Sequence, residues 1–451
     1  MKARALTRWL ACGAVAVAFV SPELARANPI DTFGLGSRAT AMGRAAVADV
    51  TDFSAVYYNP AGLVGAQGMD LSLGYFHAEH HLSMNDREVE VESARGLVFG
   101  LVAPGEILGL PFAFGLAGHL PDERLSRIRT RAQEEPRFEL YDNRPQLLYL
   151  STAIAVRPWR FLEVGVGISY LAATRGTLEI AGTANLQDPH ASQLRHEVKA
   201  DLRSVRYPQA GVRVHLGDDW AVALAYRDQT RLKLELDTRL DGSIDALGLE
   251  IPASYSLTSS NVGVFLPRQV TLGTRARFLE RRLTATLDVG WEQWSAYESS
   301  VSLSSAVLDV KVPPSLPVTI PKNPEPTRII PPNFHDRLVP RVGVEYRMPV
   351  TEALEVPLRA GYAFERSPVP AQRGVTNFVD NDRHVLSAGT GVRLLKPLPE
   401  LPGDVRLDGH VQWSLLPDRM TRKDNPADFV GDYHAGGSIL ALGVTLGVGF
   451  P

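Results

Sequence analysis

The chain has 451 residues, 45% apolar and 22% charged, with 47 basic and 50 acidic side chains for a formal charge of −3. This composition excludes a disordered polymer and a bundle of apolar helices, and without a basic block nothing electrostatic favours a nucleic-acid partner. The only cysteine is Cys12, so no disulfide framework and no thiol chemistry are expected once the N-terminus is processed.

Residues 1–27 read as a signal peptide. Lys2, Arg4 and Arg8 precede an apolar stretch from Leu10 to Val20, and Ala25-Arg26-Ala27 supplies the small residues of a cleavage site. The apolar stretch is about half the length a spanning helix needs. Cleavage after Ala27 leaves a chain of about −6 charge without cysteine. An exported, cysteine-free chain must draw its stability from a large cooperative structure.

Residues 28–68 carry small residues, an apolar stripe and an Asn59-Pro60-Ala61 turn, and predict a compact plug of short helices. Gly34, Gly36 and Ala39 mimic a dinucleotide fingerprint, but no strand precedes them and no βαβ unit follows.

From residue 69 to 451 the rhythm has period two, which only strands use. Leu162, Val164, Val166, Ile168 and Tyr170 alternate with Glu163, Gly165, Gly167 and Ser169. Val405, Leu407, Val411 and Trp413 oppose Arg406, Asp408, His410 and Gln412. Fourteen such segments run from 69–77 to 437–450, with short links such as Gly217-Asp218 and Glu280-Arg281 alternating with long ones at 120–146, 174–205, 237–264, 298–337 and 365–383. An apolar face for lipid, a polar face for a lumen, and tight turns all at one end predict an all-β fold: a 14-stranded antiparallel transmembrane outer-membrane barrel, with 28–68 as its plug. Trp159, Trp220, Trp291, Tyr362 and Trp413 are placed as an interfacial girdle. Eight prolines between Lys311 and Pro332 make loop 298–337 extended or irregular.

Four motifs add to this pattern. Asn59-Pro60-Ala61, the run Pro267-Arg268-Gln269-Val270-Thr271-Leu272-Gly273, Trp291-Glu292-Gln293-Trp294-Ser295, and the stretch from Leu358-Arg359-Ala360-Gly361-Tyr362 to Asp380-Asn381-Asp382-Arg383-His384 resemble, in order, the FadL/TodX family of outer-membrane transporters for long-chain fatty acids and hydrocarbons. The resemblance implies a plug acting as a hatch, with Asn28, Pro29, Ile30, Phe33, Asn59, Pro60 and Ala61 as hatch and gating residues. It implies an inward kink in the third strand, Phe112 to His119, at Gly115 and Gly118, opening a lateral exit. Loops 174–205 and 237–264 would capture ligand, the second through Leu247, Leu249, Ile251 and Tyr255.

The implied function is passive, ligand-gated uptake of a hydrophobic small molecule, with no catalysis, no cofactor and no metal. The partners are outer-membrane lipid and lipopolysaccharide around a monomer. The alternative is a surface receptor or adhesin using the barrel as scaffold. His77, Glu79 and His81, or Asp380, Asp382 and His384, could meet a cation, but a polar strand end and a loop anchor explain them. No Gly-x-Ser-x-Gly elbow marks a lipid hydrolase.

Overall fold

The structure is a computed structural model describing residues 29–122, 135–142, 148–185, 193–246, 249–298, 303–311, 323, 330–395, 403–425 and 428–450. The signal-peptide reading, Asn28, Leu247 and most of the proline-rich segment lie outside the described residues.

Fourteen strands close one antiparallel barrel. They are β1 (Met69–Met84), β2 (Ala94–Ile107), β3 (Leu110–Pro121), β4 (Tyr149–Trp159), β5 (Leu162–Asn185), β6 (Gln193–Leu216), β7 (Trp220–Arg227 continued by Thr230–Ala246), β8 (Leu249–Leu266 continued by Gln269–Phe278), β9 (Leu283–Glu292), β10 (Arg337–Thr351), β11 (Leu354–Glu365), β12 (Arg383–Leu394), β13 (Val405–Thr421) and β14 (Tyr433–Phe450). Each pairs with its sequence neighbours. The ring shuts through β14 and β1, which pair from Met69 with Phe450 to Met84 with Ala435. Every backbone donor and acceptor along that seam is thereby satisfied, as a lipid-facing wall requires.

The alternation settles as the sequence predicts, inside out relative to a soluble protein. Leu71, Leu73, Ile154, Val166, Leu224, Leu287, Leu407, Trp413 and Leu442 are exposed on the outside. Glu163, Arg213, Thr284, Asp288, Glu345 and Gln412 are buried facing the lumen. Trp159 and Trp220 sit exposed beside the short turns at one rim, 58% and 53% accessible, where an aromatic girdle belongs.

One expectation needs correction. Segments 174–205 and 237–264 are largely strand: β5 and β6 stay paired from Leu162 with Val214 out to Thr183 with Gln193, and β7 pairs β8 out to Ala246 with Leu249. Beyond the barrel the outer part of β7 also runs parallel to that of β5, from Leu236 beside Gly176 to Asp245 beside Asn185. Leu249, Ile251 and Tyr255 therefore lie on a strand, with Ile251 buried. Pairing continues past the lipid band, and an apolar phase continues with it, as in Leu236, Leu240 and Ile244 against Asp237, Asp241 and Asp245.

β3 keeps an unbroken register with β2, from Gly96 with Pro121 to Ile107 with Leu110, and with β4, from Phe112 with Val156 to His119 with Tyr149, so no gap in pairing opens beside it. Gly115 and Gly118 both mark close contacts. A Cβ on Gly115 would lie 2.6 Å from both Leu63 and Val56, and one on Gly118 would lie 2.3 Å from the Phe99 ring.

Candidate functional site

Inside the barrel lies a chain of short elements: α1 (Pro29–Phe33), α2 (Ser37–Ala41), α3 (Ala55–Tyr58) and a 3-10 turn at Pro60–Gly65. None is long enough to be stable alone, so the wall must hold them. Asn59 starts the last turn. Its side chain accepts from the Ala61 amide at 3.1 Å, and Pro60 occupies the first turn, where a missing N–H costs nothing. Its Nδ2 donates to the Val47 carbonyl at 2.9 Å and the Val212 carbonyl at 3.4 Å. Asn59 thus ties its own turn to another part of the insert and to β6. Pro60 and Ala61 are fully enclosed against the wall.

The wall makes room with glycine. A Cβ on Gly211 would lie 1.9 Å from the Asn59 side chain, one on Gly165 2.4 Å from the Ala61 nitrogen, and one on Gly361 2.0 Å from the Gly43 nitrogen. Gly43 itself has φ +65°, and a Cβ there would come within 2.7 Å of the Tyr362 nitrogen, so neither surface admits a larger residue.

Charge fixes the insert from several sides. Arg38 pairs with Glu345 at 3.0 Å and with Asp49, while Glu345 also accepts from Arg359 at 2.6 Å. Arg44 pairs with Glu365, which Arg383 and Arg337 contact at 2.6 and 3.2 Å. Arg213 pairs with Glu163 and donates to the Val50 carbonyl at 2.9 Å. Arg227 bonds Asp31 at 2.8 Å and the Tyr57 carbonyl at 2.7 Å, with its guanidinium 3.7 Å above the Tyr57 ring. The Tyr57 hydroxyl donates to Asp31 at 2.7 Å, and burial pushes its pKa well above the ordinary range, so it stays a donor. Ion pairs this buried gain little over an apolar core, but losing one partner costs about 3–5 kcal/mol. They select position more than they add stability.

These groups divide the lumen into layers. At the short-turn end a polar cavity of 180 Å³ is lined by Arg38, Arg277, Arg359, Arg406, Asp49 and Glu345, among others. Toward the long loops the lining is aromatic. Phe33 of α1 lies 6.2 Å from Phe76 and 5.9 Å from His80, which faces Tyr141 at 6.0 Å. Ile30 is buried in the same cluster, as are Phe265, Trp294, Tyr297, Phe334 and Phe378. Pro29 opens α1, the element of the insert that touches this layer.

The lumenal surface is also uneven around the ring. The inward residues of β2 to β4 include Ala94, Val98, Val102, Ala113, Ala117, Ala153 and Ala155, all buried. Within 94–102, 113–119 and 149–155 no lumenal carboxylate or guanidinium occurs among the described residues, whereas β6 and β8 to β13 each present one or more. Val56 and Leu63 of the insert press on this apolar sector at Gly115.

The sequence brought Asn59, Pro60, Ile30 and Phe33 to notice, and all four lie in the insert, Ile30 and Phe33 on α1 and Asn59 and Pro60 at its last turn. It missed the charged clamps, whose partners are as distant as Arg38 and Glu345, and it missed the aromatic layer assembled from six strands and loops. His77, Glu79 and His81 share the outward face, with Glu79 3.0 Å from His77 and 3.8 Å from His81.

Comparison with known proteins agrees with this geometry. The sequence matches the family described as outer membrane protein transport protein (OMPP1/FadL/TodX) over residues 145–406. It is 26% identical to Alkane uptake protein A of Marinobacter nauticus over 395 residues, 81% of this chain and 79% of that protein. A FadL homologue of Pseudomonas aeruginosa shares the fold with TM-score 0.58 and 15% identity, across 96% of this chain and 100% of the other. The toluene transporter TodX of P. putida does so with TM-score 0.51 and 15% identity, across 93% and 99%. The chain is a member of the OMPP1/FadL/TodX family of outer-membrane transport proteins.

Proposed function

We propose that the protein takes up hydrophobic molecules, such as long-chain fatty acids or hydrocarbons, by passive, ligand-gated diffusion with lateral exit through the wall. The observation that carries this is the uneven lumen: an aromatic layer beneath the long loops, a charged layer at the short-turn end, and one apolar sector at β2 to β4. An apolar molecule entering the aromatic layer gains about 25 cal/mol for each Å² it buries. It gains nothing by moving on into a hydrated cavity lined by arginine and carboxylate. The apolar sector is the path of lower cost.

In this reading β3 is closed at rest, and the insert residues Val56 and Leu63 are its inner bolt. Ligand packing against Phe33 and Ile30 shifts α1, and the movement reaches Val56 through the Asp31, Tyr57 and Arg227 contacts. Tyr255, half-buried on the outer part of β8, serves as the first apolar surface met. The setting is a monomer in outer-membrane lipid and lipopolysaccharide, and no chemical step is involved.

The test is uptake by cells carrying the double variant Asn59→Ala, Pro60→Ala. Uptake of a hydrophobic substrate is expected to change about tenfold while the barrel keeps its heat-modifiable folded form on gels. Unchanged uptake by the folded double variant would reject the hatch role.

A further inference from the structure

Guanidinium groups border the aromatic layer, and each is already matched by a carboxylate. Arg337 lies 5.5 Å from the Trp294 ring and Arg383 5.9 Å from the Tyr141 ring, while Arg227 covers Tyr57 of the insert. Arg337 pairs with Glu292 at 2.7 Å and with Glu365 at 3.2 Å, and Arg383 pairs with Glu365 at 2.6 Å. Arg227 has Asp31 at 2.8 Å. Glu292 and Glu365 are both buried, so water does not loosen these pairs. Arg337 and Arg383 also act on the buried carboxylate of Asp380. With Arg44 on Glu365 and Arg341 opposite Asp288 across the strands, cations and carboxylates balance.

The donors on the rings are spent in the same way. Trp294 Nε1 donates to Glu292 at 3.0 Å, the Tyr297 hydroxyl to Glu139, and the Tyr57 hydroxyl to Asp31 at 2.7 Å. Among the described residues, every guanidinium stacked on one of these rings has a carboxylate of its own.

We propose that the layer selects uncharged hydrophobic molecules and turns away fatty-acid anions, with Glu292 and Glu365 as the residues that set the preference. The inference rests on the uptake reading above and narrows its substrate class to hydrocarbons and their uncharged derivatives. A carboxylate leaving water must be repaid by charge-assisted hydrogen bonds. Here the positions that would repay it are held by Glu292 and Glu365, whose own charge repels a second anion. An alkane or an ester loses no ionic hydration on entering, and gains the same apolar burial.

The experiment incubates purified mature protein in detergent at pH 7.5 with radiolabelled hexadecane, methyl hexadecanoate or hexadecanoate, and counts bound ligand after the free ligand is removed. The ester and the acid share one chain and differ in charge. Wild type is expected to bind hexadecane and the ester, and to bind hexadecanoate at least about tenfold more weakly. Glu365→Gln leaves Arg337 and Arg383 with charge to offer, so the ratio of acid to ester bound should rise about tenfold. Where Glu365→Gln does not fold, Glu292→Gln tests the same point by freeing Arg337. Wild type that binds acid and ester equally would overturn the inference and leave the uptake reading standing, as would an unchanged ratio in the folded variant. Binding of none of the three probes would count against the uptake reading itself, and this inference would fall with it.

Discussion

Asn59 shows how one side chain can carry an element. Fully buried, it caps the turn at Pro60–Gly65 and satisfies backbone carbonyls of two other segments. Replacing it with Ala removes a cap worth about 1 kcal/mol and leaves the Val47 carbonyl unmet in a dry site. The insert should then become sensitive to protease added from the short-turn side, at a rate measurable on gels, while the barrel stays resistant. Asp380 makes the opposite case. It lies in the segment between β11 and β12, and burial, opposed by Arg337 and Arg383, pushes its pKa up to about 6. Its folded value is above the unfolded one, so the folded state binds the extra proton. Stability from this group is highest at low pH and falls as pH rises from about 4 to 6. Asp380→Asn should therefore unfold at higher urea than wild type at pH 7.5, by about 1–3 kcal/mol, and the difference should vanish near pH 4. A pH-independent difference would show that the carboxylate's charge is not what the fold resists.

At the scale of elements, the insert is short helices that would not hold without the wall, and the wall carries glycine where the insert touches. Gly361→Val would place side-chain atoms on the backbone of Gly43, 2.0 Å from its nitrogen at the Cβ alone. The barrel should still assemble, because Gly361 keeps ordinary strand pairing with Gly343 and Ser387. The insert should be displaced, giving higher ion conductance in planar bilayers. Wild-type conductance from a folded Gly361→Val barrel would mean the contact is not a seat. Strands were legible in sequence wherever lipid lay on one side and the lumen on the other, as in Leu283, Leu287 and Val289 against Thr284, Thr286 and Asp288. They were less legible past the lipid, where Gly176, Gly182 and Gly242 interrupt the pattern although an apolar phase such as Leu236, Leu240 and Ile244 persists. Gly115 was legible as a special position, but the close approach of Val56 and Leu63 was not, since it depends on where the insert sits. The polarity of Glu163 and Arg213 was legible, but their pairing was not, since it depends on strand register.

For the whole molecule, the near-cancellation of charge and hydropathy comes from a shell that faces lipid on one side and a polar lumen on the other, filled by an insert tied to it through buried charges. In the proposed mechanism the charged lower lumen, the aromatic upper lumen and the apolar sector at β2 to β4 together direct an apolar molecule sideways. The most direct measurement pins that sector. Ala113 and Ala155 face each other across β3 and β4, and replacing both with cysteine in a Cys12→Ser chain gives one oxidisable pair. Uptake of a labelled hydrophobic substrate should fall at least about tenfold on oxidation and return on reduction. Equal uptake by the oxidised and reduced barrels would contradict lateral exit through this wall.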